Sequence, residues 1–408
     1  MTNKTILIIG GGIAGLTVAR VLKQRGIPCI VFERSALYTT QGYAITVRDW
    51  AFNPLLAALD DVPVETFQKQ VAVDRLLGGS GWVDLTIRAN ETGKSLFNPE
   101  PPRTGDEAVL FRANRSVLLN WLALGVEVRH GHKLTAVRGQ PGNVTAVFES
   151  GEEVTGSMIV AADGVHSSVR NCLLPDLKAQ LLPVVLFHGK RRMDTTSWRQ
   201  IWAPHVGEST IAAGVGHNFN TFVTVANSTG PEAIDLDWTY SRVQQGEKDP
   251  LWMPDQPGMI KVPQHLLKEI RAKDLAPPFS ALIDADAIKK DKVHNWRIWA
   301  VQATRGDLDK AAETGVVFVG DAVHAMPIFG GEGGNHAILD GVGLATLVAG
   351  RICGASLTAG DVEAVIREFN DCAHQRGQAA VKRCTQRFSQ FHQSIGKWKK
   401  VAEMASTV

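Results

Sequence analysis

The stretch ILIIGGGIAGLTVARVL, residues 6–22, decides the fold class. Its first four residues, Ile6 to Ile9, form a continuous apolar run, read as a strand over 5–9 that is buried on both faces. Gly10, Gly12 and Gly15 then fill the pattern G-x-G-x-x-G, with Ala14 inside the turn. Apolar residues recur at helical spacing through Ile13, Leu16, Val18, Ala19, Val21 and Leu22, so a helix is predicted over 13–24, and Gly26 stops it. Ile30-Val31-Phe32 is the second strand of a βαβ unit. Each glycine has a reason. Gly10 allows the tight turn, Gly12 lets a pyrophosphate touch the backbone, and Gly15 lets helix and strand pack closely. The helix N-terminus adds free N–H groups and the positive end of its dipole. Glu33, 18 residues after Gly15, is placed to accept hydrogen bonds from an adenosine ribose. An acid there disfavours a 2′-phosphate, so the nucleotide is of the FAD or NAD type. This motif alone does not separate the two.

Outside that unit the chain is organised in pieces. Its 408 residues exceed one ordinary core, so two or more domains are expected. Strand-like alternation runs around Leu76 to Ile87, and Asn98-Pro99-Glu100-Pro101-Pro102 reads as a rigid turn and domain crossover. A helix is predicted over 115–124 and strands over 126–129, 144–149 and 157–161. Short β-like runs dominate from Pro183 to Val225, whereas 231–295 reads as mainly helical, broken by prolines. The chain regains strand character at Trp296 and ends in a helical tail over 361–395.

Two further motifs carry chemistry. AADGVHSSVR, residues 161–170, follows an apolar run and presents the Asp163 carboxylate on an Asp-Gly turn. GDAVHAMPIFGGEGGNHAILDG, residues 320–341, follows Val316-Val317-Phe318-Val319. Asp321 ends that strand, where an acid can hold a hydroxylated chain. Gly330, Gly331, Gly333 and Gly334 precede a helix from about His336, giving a second helix N-terminus stripped of side chains. Such a terminus suits a flat ring whose electron-rich edge meets backbone N–H groups.

The three motifs, in this order and spacing, resemble the single-component FAD-dependent aromatic monooxygenases of the 4-hydroxybenzoate hydroxylase type. The resemblance extends to the branch holding tetracycline-inactivating and secondary-metabolite monooxygenases, and it covers about half of the chain. It implies an α/β fold: a Rossmann-like FAD-binding domain, a β-sheet-based substrate domain and C-terminal helices. The expected divisions are 1–70, 105–176 and 295–355 for FAD, 71–104 and 177–294 for substrate, and 356–408 for the helical segment. Gly10, Gly12, Gly15 and Glu33 match the family's ADP-binding fingerprint, and Arg34 the basic residue that follows the acid. Arg115 matches the arginine opening its R-x-x-L helix, which contacts the flavin side of FAD, with Leu118 and Leu122 at the apolar positions. Asp163 and Gly164 match the D-G motif, tied to FAD and NAD(P)H. Gly320 and Asp321 match the G-D motif, whose Asp holds the ribityl chain. Pro327, Gly331, Gly333, Gly334 and Asn335 match the loop against the isoalloxazine ring. Leu119 stands where Arg is common, and Glu332 where Gln is common.

The implied function is NAD(P)H- and O2-dependent insertion of one oxygen atom into an aromatic or polycyclic small molecule through a C4a-hydroperoxyflavin. The cofactor carries the hard chemistry, so no side chain is assigned as nucleophile or base, and none as a metal ligand. His324 reads as a structural histidine. The alternatives are a flavoprotein reductase or dehydrogenase that does not activate O2, and a flavin-binding protein without turnover. No second Rossmann fingerprint appears; LGGSGW (77–82) lacks a following helix, and WRIW (296–299) has the wrong spacing for the halogenase W-x-W-x-I-P signature. Candidates to line a substrate pocket are Phe187, Trp202, Phe222, Met326 and Phe329, the last two favoured by their place beside the flavin loop.

Composition sets the partners. A net charge of +2 indicates no nucleic-acid partner. The eight Lys and Arg between Arg367 and Lys400 read as a solvated or interdomain helix face. Five scattered cysteines form no C-x-x-C pair and suit a reducing compartment. Met1 to Thr5 lead straight into the first strand, and no apolar stretch reaches the ~18 residues of a membrane span. A cytoplasmic protein without stable membrane insertion, monomeric or homodimeric, is expected.

Overall fold

The computed structural model describes residues 5–36, 42–98, 110–352 and 357–405. A five-stranded parallel sheet forms the centre, in the order Val316–Phe318, Ile159–Ala161, Ile6–Ile9, Cys29–Glu33, Val128–His130. Ile6, Leu7, Ile8 and Ile9 are all buried, as a strand covered on both faces requires. One face is covered by the helices Ile13–Gln24 and Gly333–Arg351, which pack against each other. Close packing there needs Gly341: a Cβ on it would come within 2.6 Å of the Thr17 side chain. The other face carries the antiparallel strands Leu134–Gln140, Asn143–Phe148 and Glu153–Gly156.

The second layer is an eight-stranded sheet. It is built mainly from the long strands Val184–Asp194, Phe219–Ser228 and Ala233–Val243, paired antiparallel, with Ile211–Val215 and Ile87–Ala89 beyond them. Side chains alternate across it with period two. Phe187, Val223, Trp238 and Tyr240 point to one face, where Trp198, Trp202, Leu266 and Phe279 complete a closed apolar core. The opposite face carries the register row His188, Thr239, Phe222, Ala213 and Ile87, with Asp237, Thr224 and Ile211 alongside.

The helices Ala359–Phe391 and Ile395–Ala405 close the fold. The first starts on a capping box, in which the Thr358 hydroxyl accepts from the Asp361 N–H and the Asp361 side chain accepts from the Thr358 N–H. Among the described residues no helix is long and apolar enough to cross a membrane.

Two expectations need correction. Residues 231–295 are not mainly helical: they hold the strands Ala233–Val243, Gly258–Ile260 and Lys292–Asn295 and only three short helices. Ile234, Leu236, Trp238 and Tyr240 alternate with Asp235, Asp237, Thr239 and Ser241, a period-two signature of a strand. The alternation expected over Leu76–Ile87 yields a 3-10 turn at Arg75–Leu77 and a strand only at Ile87–Ala89, because Gly78, Gly79 and Gly81 interrupt it. The crossover expected at 98–102 lies mostly outside the described residues.

Candidate active site

The three motifs lie far apart in the chain, yet they end neighbouring strands. Gly10 follows Ile6–Ile9, Asp163 follows Ile159–Ala161, and Asp321 follows Val316–Phe318. Parallel strands put all three turns at their carboxyl ends, where open α/β sheets bind ligands. A cavity of about 740 Å³ opens there. Gly12, Ala14, Arg115 and Asp321 line it, with Pro327, Gly331, Gly333 and Gly334 along one wall.

The glycine turn is held by its surroundings. Gly10 has φ +111°, and a Cβ on it would lie 2.4 Å from the Ala162 carbonyl oxygen. A Cβ on Gly15 would lie 2.1 Å from the Gly10 carbonyl oxygen. At Gly12 a Cβ would meet no protein atom within 4 Å; it would project into the cavity instead. That is the signature of a cradle kept bare for a ligand, and it fits an FAD pyrophosphate.

Glu33 is already engaged. Its Oε2 accepts from the Gly11 N–H at 2.8 Å and its Oε1 from the Ser35 N–H at 2.9 Å. Each carboxylate oxygen has a second lone pair to offer. Arg34 is exposed beside it. Asp163 caps the helix Ser168–Leu173: its Oδ2 accepts from Ser168 N–H at 2.6 Å and from Val169 N–H at 3.2 Å. Its Oδ1 is buried without a partner. Burial raises the Asp163 pKa, against these hydrogen bonds.

Asp321 is surrounded by protein, yet its side chain is exposed to the open cavity that it lines. Burial pushes its pKa up, opposed by the charges of His324 and Arg115. Behind it lies a tight polar cluster. One Asp340 oxygen, Oδ2, accepts from the Gly320 N–H at 2.7 Å and meets His324 Nε2 at 2.6 Å; the other accepts from Arg376 at 2.5 Å. Burial opposes the Asp340 charge, but His324, Arg376 and the Gly320 N–H outweigh it and hold the pKa down to about 2. His324 moves the other way: burial lowers its pKa, but the charge and hydrogen bond of Asp340 raise it overall. His324 is therefore a structural strut, as its place in the turn suggests.

The loop glycines divide by cause. Gly331 has φ +63° and an open Cβ position. Gly330 is bare for packing: a Cβ would lie 2.3 Å from Cys384 Sγ on the long C-terminal helix. Asn335 does not line the cavity. Its Nδ2 donates to the Thr46 and Gly331 carbonyls, and its Oδ1 accepts from the Arg48 N–H, so it clamps the loop to the strand Ala44–Arg48.

Glu332 is also a clamp. It is buried, and it pairs with Arg383 at 2.8 Å, Arg387 at 3.0 Å and His336 at 3.4 Å. Burial is outweighed by these partners, which hold its pKa down to about 2. The basic C-terminal run is thus partly inward-facing: Arg376, Arg383 and Arg387 hold the glycine loop and its support.

Of the five pocket candidates, Phe222, Met326 and Phe329 line the cavity. Trp202 and Phe187 do not. Trp202 is stacked on Trp198 at 4.2 Å and donates its indole N–H to the Ser209 carbonyl, on the far side of the sheet. Phe187 lies one residue from His188 and therefore on the opposite face. Sequence reasoning missed Arg112, His188, Asp237 and Trp296 on the cavity wall, and Gln390, Phe391 and Trp398 from the C-terminal helices. Only the strand register could have revealed the first set.

A family model described as an FAD binding domain matches residues 265–383, and an NAD(P)-binding Rossmann-like domain model matches residues 8–53. The chain is 45% identical over 407 residues to the FAD-dependent monooxygenase adaC of Aspergillus niger, covering 98% of this chain and 96% of that protein. It is 44% identical over 415 residues to the FAD-dependent monooxygenase aptC of Emericella nidulans, covering 98% of each. Among solved structures, Klebsiella pneumoniae HpxO complexed with FAD and uric acid superposes with a TM-score of 0.72 at 20% identity, over 97% of this chain and 91% of that one.

Proposed function

The chain belongs to the FAD-dependent monooxygenases, and from that membership we propose that it uses NAD(P)H and O2 to insert one oxygen atom into an aromatic or polycyclic small molecule. One observation carries the reading. A single cavity of about 740 Å³ joins the carboxyl ends of three parallel strands to a face of the second sheet, so cofactor and substrate share one enclosure. The discontinuous division into FAD, substrate and C-terminal segments given above is part of the proposal.

Bound FAD supplies the redox chemistry, passing electrons from NAD(P)H to O2. The chain's own residues bind, orient and exclude water. Gly10, Gly12, Ala14 and Gly15 form the turn under the pyrophosphate, while Glu33, with Arg34 beside it, takes the adenosine side. Arg115 and Asp321 would hold the middle of the cofactor from the cavity wall, with Asp163 and Gly320 shaping the turns behind them. Pro327, Gly331, Gly333 and Gly334 lie along the ring, held in place by Asn335. The N-terminus of the nineteen-residue helix Gly333–Arg351 would offer N–H groups and its positive dipole end to an electron-rich edge of a bound ring. Met326, Phe329 and Phe222 form the apolar substrate wall, and Phe391 and Trp398 close it from the C-terminal helices.

A substrate screen followed by NAD(P)H consumption and product mass tests the reading. Products heavier by one oxygen atom support it. Cofactor oxidation without any oxygenated product across the screen contradicts it. Asp321→Ala checks one role directly. Losing a charge-assisted hydrogen bond of ~1.5–3 kcal/mol weakens FAD binding about 10- to 100-fold. FAD titration of the apoprotein reads the effect, and an unchanged Kd removes Asp321 from the ribityl site.

A further inference from the structure

One polar cluster on the cavity wall is left unexplained by cofactor binding. His188 and Asp237 project from adjacent strands on the cavity-facing side of the second sheet. His188 Nε2 lies 3.5 Å from Asp237 Oδ2, and Lys190 Nζ lies 3.5 Å from Asp237 Oδ1. Both side chains are almost fully buried, yet beyond these long 3.5 Å charge contacts neither ring nitrogen of His188 and neither oxygen of Asp237 has a well-formed hydrogen bond. Arg112, on the same wall, keeps its Nε unpartnered as well. Buried polar atoms are nearly always satisfied, so a buried pair held only by long contacts, with His188 Nδ1 and Arg112 Nε unpartnered, has hydrogen-bonding capacity left for a ligand. The Trp296 ring stacks on His188 at 4.0 Å and 12°, which makes the neighbouring wall flat and apolar.

The partner's chemistry follows from the charges. Lys190 and Arg112 both act on Asp237, so a cationic ligand group meets two cations beside one carboxylate. An anionic group would be placed against the Asp237 carboxylate itself. A neutral group that donates one hydrogen and accepts another suits both residues, and on a flat ring that group is a hydroxyl.

We propose that His188 and Asp237 form a hydroxyl anchor: Asp237 accepts the hydrogen of a phenolic or enolic hydroxyl on the substrate, and the His188 imidazole meets its oxygen. The anchor rests on the reading that the cavity holds an aromatic substrate. It fixes which edge of the ring system turns toward Met326 and the flavin loop. Burial pushes the Asp237 pKa to about 6 against the pull of Lys190 and Arg112, with Asp235 adding to the rise. Burial also holds His188 neutral, well below its ordinary value, helped by Lys190 and His294. The acceptor is therefore a carboxylate at neutral pH and a carboxylic acid in mild acid.

The test is a titration of the FAD-loaded full-length protein with 2-naphthol and with 2-methoxynaphthalene, followed by the flavin spectrum. The wild type is expected to bind 2-naphthol at least about tenfold tighter, as a hydrogen bond to a charged acceptor provides. The preference fades as pH falls through about 6. Asp237→Leu abolishes it, and Asp237→Asn, which keeps shape and an acceptor, reduces it to within about threefold. Retained FAD shows that each variant is folded, and the pH titration of the wild type needs no variant at all. Equal binding of the two ligands by the wild type, or an undiminished preference in either folded variant, overturns the anchor and leaves the monooxygenase reading standing. Failure of both ligands to perturb the flavin removes the aromatic-substrate reading, and the anchor with it.

Discussion

Gly15→Ala is expected to yield a protein that is both less stable and nearly free of FAD, whereas Gly12→Ala yields a folded protein that also lacks FAD. The two glycines are three residues apart, and the difference lies in what a Cβ would meet. At Gly15 it falls 2.1 Å from the Gly10 carbonyl oxygen, with Ala162 and Ile8 side-chain atoms at 3.1 and 3.2 Å. The contact is with backbone, so no rotamer change relieves it. The helix Ile13–Gln24 must lift off the strand below, at a cost of about 3 kcal/mol, and the phosphate-binding turn opens with it. At Gly12 the Cβ enters only the cavity, so the fold is unaffected and the pyrophosphate is kept from the backbone. Thermal unfolding and the flavin absorbance of the purified proteins separate the outcomes. A Gly12→Ala protein that retains FAD as well as the wild type shows that the turn is not the phosphate site.

Asp340→Ala is expected to destabilise the protein by about 3–5 kcal/mol, because it leaves His324 and the Gly320 N–H buried without their partner. The effect is larger than for a surface ion pair, since Asp340 and His324 are both almost wholly removed from water. It also reaches the cofactor: Gly320 and His324 flank Asp321, so FAD binds more weakly although Asp340 itself stands behind the cavity wall. Asp340→Asn keeps the shape and is expected to cost less. The pH dependence follows from the two shifts. Asp340 has a depressed pKa, so its contribution is complete above the ordinary carboxylate value of about 3.9 and is lost as pH falls toward about 2. His324 has a raised pKa, so its contribution is complete below the ordinary histidine value of about 6.5 and fades as pH rises through the higher folded value. The wild-type advantage over Asp340→Ala is therefore greatest between about pH 4 and 6.5. An advantage that rises steadily above that window rules out the pairing.

Much of this site was legible in the chain because its parts are local. Gly10, Gly12 and Gly15 sit between a strand and a helix in one short run, and the backbone conformation each requires can be read at its own position. The same holds for Asp163 and Asp321, each directly after an apolar strand. What sequence cannot show is which turns become neighbours, since that depends on the strand order of the central sheet. Gly330 illustrates the limit: it looked like another bare position facing a ring, but its missing side chain makes room for Cys384, some fifty residues later. Asn335 and Glu332 stand beside the ring loop in sequence, yet they act by holding it, one to a strand and the other to the C-terminal helix. Trp202 was misplaced for a different reason. Aromatic character marks burial, and only the face of the sheet on which a residue lies separates core from cavity. His188 and Asp237 went unnoticed because they are 49 positions apart and meet only through the pairing of two strands.

The central claim is that one cavity brings FAD, O2 and an aromatic substrate together so that one oxygen atom is inserted. Its most direct test is the mass of the product formed under an oxygen-18 atmosphere in ordinary water, with NAD(P)H and a substrate found by the screen. The site described here predicts a product carrying one oxygen-18 atom per NAD(P)H consumed in coupled turnover. A product that carries only oxygen from water, or none at all while NAD(P)H is oxidised, contradicts it.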